Sequence, residues 1–158
     1  VLGEPPILAL LAANSATMPL YTEFQDRVVE PAQALLRAHE LEQGVRAFLD
    51  GVIGQGAFDQ MPPPVREVML QNVRTLAPEA ALTPKRDPFT CDDARRIRVP
   101  TLLARGESSP AFLHRILEEL GHCLPHSETV TIPAASHAMH LQNPAAYNEA
   151  VLKFFAEH

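Results

Sequence analysis

Only two cysteines, Cys91 and Cys123, occur in the 158 residues. That is too few for a disulfide framework, and both are expected as free thiols in a reducing compartment. Positive charge is also scarce: 13 Lys+Arg stand against 19 Asp+Glu, a formal net charge of −6. No basic run and no basic–aromatic patch appears, which argues against nucleic acid or an anionic membrane as a partner. No apolar stretch is long enough to span a bilayer. The opening Val1-Leu2 is not the charged and then apolar start of a secretory leader. Internal repeats and low-complexity tracts are missing too. These absences together read as a soluble, cytoplasmic chain. The first residue is not methionine, so the natural start is expected to be missing, with processing as the alternative explanation. What remains is a hydrophobic share of 46% with 20% charged residues, the composition of a packed core. The length suits one domain or part of a larger one.

The stretch with the most chemistry in it lies near the end, Val130-Thr131-Ile132-Pro133-Ala134-Ala135-Ser136-His137-Ala138-Met139-His140. Its β-branched run reads as a buried strand, which Pro133 stops because proline has no N–H to give the ladder. Three small residues then allow a tight turn before His137. Asn143-Pro144 opens a helix, with Asn143 as N-cap and Pro144 in the first helical position. A proton acceptor suited to neutral pH is thus held between a strand and a helix, as a general base requires.

Taken in order, Val1 to Pro6 read as the tail of a strand, with Glu4 pushed to extended geometry by Pro5. Residues 7–20 read as a loop or short helix. From Tyr21 to about Leu82 the period is helical. Phe24, Val28, Val29, Leu35 and Leu36 form one apolar face, with Pro31 as a break or kink. Leu41, Val45, Phe48, Leu49 and Val52 form a second, closed by Gly51, Gly54 and Gly56. Val65, Val68, Met69, Val73 and Leu76 form a third, with Pro78 after it. A linker is expected over Thr83–Asp87. Thr90 caps a short helix through Arg95, with Asp92 and Asp93 in its first turn. A right-handed parallel βαβ unit follows: a strand from Val99 to Ala104, a turn at Gly106, and a helix burying Phe112, Leu113, Ile116, Leu117 and Leu120 and closed by Gly121. Its second strand is Glu128–Ile132. The last helix is expected to bury Tyr147, Val151, Phe154 and Phe155. The fold class is therefore α/β, interrupted by helices.

These residues resemble the C-terminal half of the α/β-hydrolase fold. Arg98 to Glu107 is similar to that family's seventh strand and following turn, Ile132 to His137 to its eighth strand and histidine loop, and Val1 to Pro6 to the end of its sixth strand. The resemblance implies three parallel core strands with an inserted helical cap: residues 1–6 end a core strand, 7–90 form the cap and linker, and 91–158 form the C-terminal core. It also implies that the nucleophile elbow, G-x-S-x-G, lies before Val1. Gly106-Glu107-Ser108-Ser109-Pro110 lacks the second glycine and follows the wrong strand. The chain alone is therefore expected to be inactive. With the fifth strand absent, an open sheet edge is expected to cause self-association.

Under that resemblance His137 is the catalytic base. The family's usual acid, three residues past the glycine at the end of the seventh strand, would stand at Ser109, which cannot hold an imidazolium electrostatically. Some members carry the acid at the end of the sixth strand instead, where Glu4 stands, so Glu4 is the expected acid that fixes the tautomer of His137. Glu107 is expected to face its turn and Asp92 to serve a helix start. His140 is read as a cap or surface residue, since His-x-x-His without further ligands is a weak metal signal. His122 and His126 are read as solvated. Phe24, Phe48, Phe58, Met61 and Met69 would line a pocket for a small apolar substrate. Neither cofactor nor metal is implied. The alternative is a non-catalytic remnant of the fold that binds a ligand or partner, and a plain truncation with no role of its own is a third reading.

Overall fold

The computed structural model describes residues 1–81 and 88–158, with only the backbone described over 74–81. The linker expected over Thr83–Asp87 and the inward side chain expected at Leu76 lie outside the described residues. The chain divides into two units, Val1–Tyr21 with Pro88–His158, and Thr22–Asp87.

The first unit is built on a parallel sheet of three strands, β1 (Leu2–Gly3), β2 (Thr101–Gly106) and β3 (Ser127–Ile132), in that spatial order. Leu2 lies beside Leu103, and Ala104 and Gly106 lie beside Val130 and Ile132. Pro5 and Pro6 end β1 early because they bring no ladder donors. Glu4 N–H still donates to Ala104 O at 3.1 Å, the last bond on that side. Successive residues of β2 face opposite layers. Leu103 joins Leu10, Ala94, Leu117, Leu120 and Leu124 on one face, beneath α1 (Ala9–Ala12), α7 (Cys91–Arg95) and α8 (Ala111–Cys123). Ala104 joins Ile132, Ala135 and Met139 on the other, beneath α9 (Met139–Gln142) and α10 (Pro144–Glu157).

The apolar face expected on α8 is buried in full. Gly121 does not close that helix, which continues to Cys123. Of the four residues expected to bury on α10, Phe154 is buried, Tyr147 and Val151 are half-buried, and Phe155 is 62% exposed. One residue past Phe154 turns the helix by about 100°, which carries Phe155 off the packed face. The expectation of two free thiols is corrected. Cys91 and Cys123 form a disulfide, their Cα atoms 5.2 Å apart. The bridge arises because α7 and α8 pack on the same face of β2, a proximity that a separation of 32 residues does not reveal.

The second unit is helical. Beyond α2 (Met18–Phe24), a π-turn over Gln25–Val29 leads directly into α3 (Glu30–Arg37). Pro31 therefore does not break the helix. It stands in the first turn of α3, and the widened turn before it relieves the missing donor and the ring clash. Gly51 does not end a helix either, since α4 runs Leu41–Val52. A Cβ on Gly44 would lie 2.7 Å from Leu36, and one on Gly51 would lie 2.5 Å from Val28. These glycines let α4 approach α3 and the π-turn closely. α5 is Ala57–Gln60 and α6 is Pro63–Ala81, whose backbone passes through Pro78. On α6 Val65 and Val68 are exposed rather than inward, while Met69, Leu70 and Val73 are half-buried. Phe58 is buried, with the Arg46 guanidinium 4.7 Å from its ring centre. No helix among the described residues is long and apolar enough to cross a membrane.

Candidate active site

Glu4 stands just past β1 with φ +44°, a left-handed conformation and not the extended one expected before proline. Side chains other than glycine adopt it at a cost of about 1–3 kcal/mol, and such outliers persist where surrounding contacts over-determine them. Here the contacts are two hydrogen bonds to a fully buried carboxylate. Oε1 accepts from Gly106 N–H at 3.0 Å, and Oε2 lies 2.9 Å from His137 Nδ1. A carboxylate can only accept, so Nδ1 carries the proton and Nε2 is the basic nitrogen of the neutral ring. The His137 side chain is 31% exposed, whereas that of Glu4 is 0% exposed.

The pair joins the ends of two strands that are not neighbours. Glu4 follows β1 and His137 follows β3, with β2 between them. Two strand spacings amount to about 9.5 Å, so the bridge has to pass over the end of β2. Gly106 ends β2, and a Cβ there would meet Ser136 O at 2.4 Å and Ala135 O at 2.6 Å. The requirement for glycine comes from this close approach. The sequence reading of Gly106 as a residue that allows a turn missed it.

The histidine loop is fixed along its length. Ala134 has φ +51° and donates its N–H to Glu107 Oε2 at 2.9 Å. Ser108 N–H donates to Ala135 O at 2.9 Å. Ser136 N–H donates to Gln142 Oε1 at 2.7 Å, and Asn143 Nδ2 donates to Pro133 O at 2.9 Å. Asn143 also caps α10 through Ala146 N–H, as its place before Pro144 implies. Gln142 gave no signal in the sequence.

The other candidates separate from this pair. Glu107, expected to face its own turn, instead reaches the histidine loop, where its carboxylate accepts from Ala134 N–H, and Asp92 lies in the first turn of α7. Ser109 is buried, and its Oγ has no hydrogen-bond partner among the described residues. His140 is exposed, its ring edge-on to Tyr147 at 6.3 Å. His122 and His126 are exposed as well. In the helical unit Phe24 and Phe58 are buried, Met61 and Met69 are half-buried, and Phe48 is 43% exposed.

No family model matches the sequence, and no curated protein matches it. Solved structures do. A carboxylesterase, CesB, from Bacillus subtilis superposes with a TM-score of 0.62 at 20% identity, over 82% of this chain and 46% of that one. MenH from S. aureus superposes with a TM-score of 0.58 at 19% identity, over 80% of this chain and 49% of that one. The protein thus has an α/β-hydrolase fold, represented by three parallel core strands and their helices. The chain spans about half the length of these structures.

Proposed function

We propose that this chain supplies the base and acid of a hydrolase catalytic triad, His137 and Glu4, whose nucleophile comes from a further segment. The observation that carries the reading is the Glu4–His137 hydrogen bond at 2.9 Å, made by a fully buried carboxylate to a partly exposed imidazole at the C-terminal ends of parallel strands. With Nδ1–H held by Glu4, Nε2 takes the proton from a serine hydroxyl as it attacks, or from water activated against a covalent intermediate. Glu4 then stabilises the imidazolium. Hydrolysis of an ester or related bond in a small apolar substrate is the default, with the helical unit as a cap. No G-x-S-x-G occurs in the sequence, so the isolated chain is expected to be inactive. That absence, like Ser109 at the usual acid position, also permits the second reading, a non-catalytic remnant that binds a ligand or partner.

Expression with the coding region upstream of Val1 tests the proposal. A G-x-S-x-G or G-x-D-x-G elbow is expected there. The longer enzyme should hydrolyse p-nitrophenyl butyrate, with His137→Ala and Glu4→Gln each lowering kcat by about 10²–10⁴-fold. Near wild-type turnover by His137→Ala overturns the reading. Turnover by the isolated chain that His137→Ala abolishes overturns the need for an outside nucleophile.

The outer edge of β1 has no strand partner among the described residues, and self-association through it belongs to the same proposal, read by sedimentation. A cytoplasmic setting belongs to it too, but stands against the Cys91–Cys123 bond, which fits an oxidising compartment.

A further inference from the structure

We infer that His114 is a positioning residue for the Glu4–His137 pair, acting through the backbone of Gly106. The inference rests on reading that pair as catalytic. His114 lies in the first turn of α8, half-buried, with Nε2 2.8 Å from Gly106 O. A carbonyl only accepts, so Nε2 carries a proton and donates. Gly106 meanwhile donates its own N–H to Glu4 Oε1 at 3.0 Å. Both polar groups of one residue are thus held by side chains from different elements, the carboxylate beyond β1 and an imidazole on α8. Gly106 is also the residue over which the loop before His137 passes.

Gly106 O accepts a second bond, from Ser109 N–H at 3.2 Å. Removing the imidazole therefore does not orphan the carbonyl, and the expected loss falls on orientation more than on folding. Without His114 the Gly106–Glu107 peptide keeps Ser109 N–H on its carbonyl and its own Glu107 N–H on Ile132 O, and it tilts to suit those two bonds alone. The Gly106 N–H then leaves the line to Oε1, the carboxylate turns, and Oε2 no longer holds Nδ1–H of His137. The position had no signal in the sequence, because His114 sits in the first turn of a helix whose apolar face drew the reading.

The test uses the ¹⁵N-labelled chain and long-range ¹H–¹⁵N spectra of its histidine rings, at a pH where the rings are neutral. In the wild type, His137 is expected as the Nδ1–H tautomer and His114 as Nε2–H. His114→Leu keeps bulk but has no donor. It should move His137 toward the Nε2–H form favoured by a free imidazole while the thermal midpoint stays close to wild type. His114→Gln, whose amide can donate to the same carbonyl, should restore the Nδ1–H form. A purely structural role would lower the melting temperature without moving the tautomer of His137. If wild-type His114 is found as Nδ1–H, the inference fails without any variant. If Glu4→Gln shifts the His137 tautomer and His114→Leu does not, the role of His114 is overturned and the pair survives. If Glu4→Gln leaves His137 unchanged, the pair itself is refuted.

Discussion

Gly106→Ala concentrates the structural logic of the site in one methyl group. The added Cβ would stand 2.4 Å from Ser136 O, 2.6 Å from Ala135 O and 2.6 Å from Ser136 C. All three are backbone atoms, so no rotamer change relieves the contact. The loop is pinned by Glu107, Ser108, Gln142 and Asn143, and it can retreat only by straining those bonds. Restoring ordinary contact requires a retreat of roughly 0.6–1 Å, and overpacking of this kind costs about 1–3 kcal/mol. His137 is the next residue along, while Glu4 stays tied to Gly106 N–H. A shift of that size lengthens the 2.9 Å bond to about 3.5 Å or more, past useful hydrogen-bond range. Urea denaturation measures the stability loss, and the histidine ring spectra report the pair. Gly121→Ala is the control: its Cβ would meet only Leu103 Cδ1, at 3.4 Å, inside α8. There alanine should be neutral or stabilising by up to about 1 kcal/mol. A Gly106→Ala protein within about 0.5 kcal/mol of wild type, with His137 still held as Nδ1–H, would refute the close-approach argument.

The remaining predictions concern other parts of the chain. Reducing Cys91–Cys123, which closes a separation of 32 residues, should cost about 3–4 kcal/mol from loop entropy. An unchanged melting curve in dithiothreitol would count against it, and the mass of protein extracted with thiols blocked shows whether the bond exists in the cell. The Asp93 carboxyl is held below its usual range, first by the Thr90 hydroxyl and then by the Thr90 N–H. Its contribution is therefore present above about pH 4, the unfolded value, and is lost as pH falls through the lower folded value. Asp93→Asn should flatten the acid limb of the melting temperature against pH, and a limb identical to wild type would remove the capping role. In the helical unit, Gly51→Ala places a methyl 2.5 Å from Val28 and should destabilise by about 1–3 kcal/mol. Adding Val28→Ala should return most of that loss in urea denaturation, and a merely additive double variant would refute the contact.

The parts of the fold that could be read from sequence are those where one residue's chemistry decides local geometry. Pro5 and Pro6 ended β1, Asn143-Pro144 capped α10, Thr90 and Asp93 capped α7, and the apolar period of α8 told which face is buried. What escaped notice depends on two segments meeting. The partners of Cys91 and Gly51 are 32 and 23 residues away, and nothing in their own neighbourhoods announces them. Pro31 misled by half: its ring does perturb the helix, but the backbone absorbed it in a π-turn and went on. On α6 and α10, Val68 and Phe155 fit an apolar stripe by type and still face outward. Periodicity gives a helix a face but does not say how wide the covering neighbour is.

The site follows the same division. His137 was legible because its loop is local, set by Pro133 before it and Asn143 after it. Glu4 was reached only through resemblance, since a glutamate before two prolines has no chemistry of its own. Their meeting depends on a third residue, to which the sequence reading gave only a turn. A carboxylate after β1 can serve a histidine after β3 only if the strand between them ends without a side chain and offers a donor to hold the second oxygen. Gly106 does both, through its missing Cβ and its N–H. Ser109, three residues past Gly106, is buried beside this arrangement, and its hydroxyl has no hydrogen-bond partner among the described residues. The pair across β2 therefore stands on glycine at 106, whose N–H holds Oε1 of Glu4 and whose missing Cβ admits the loop before His137.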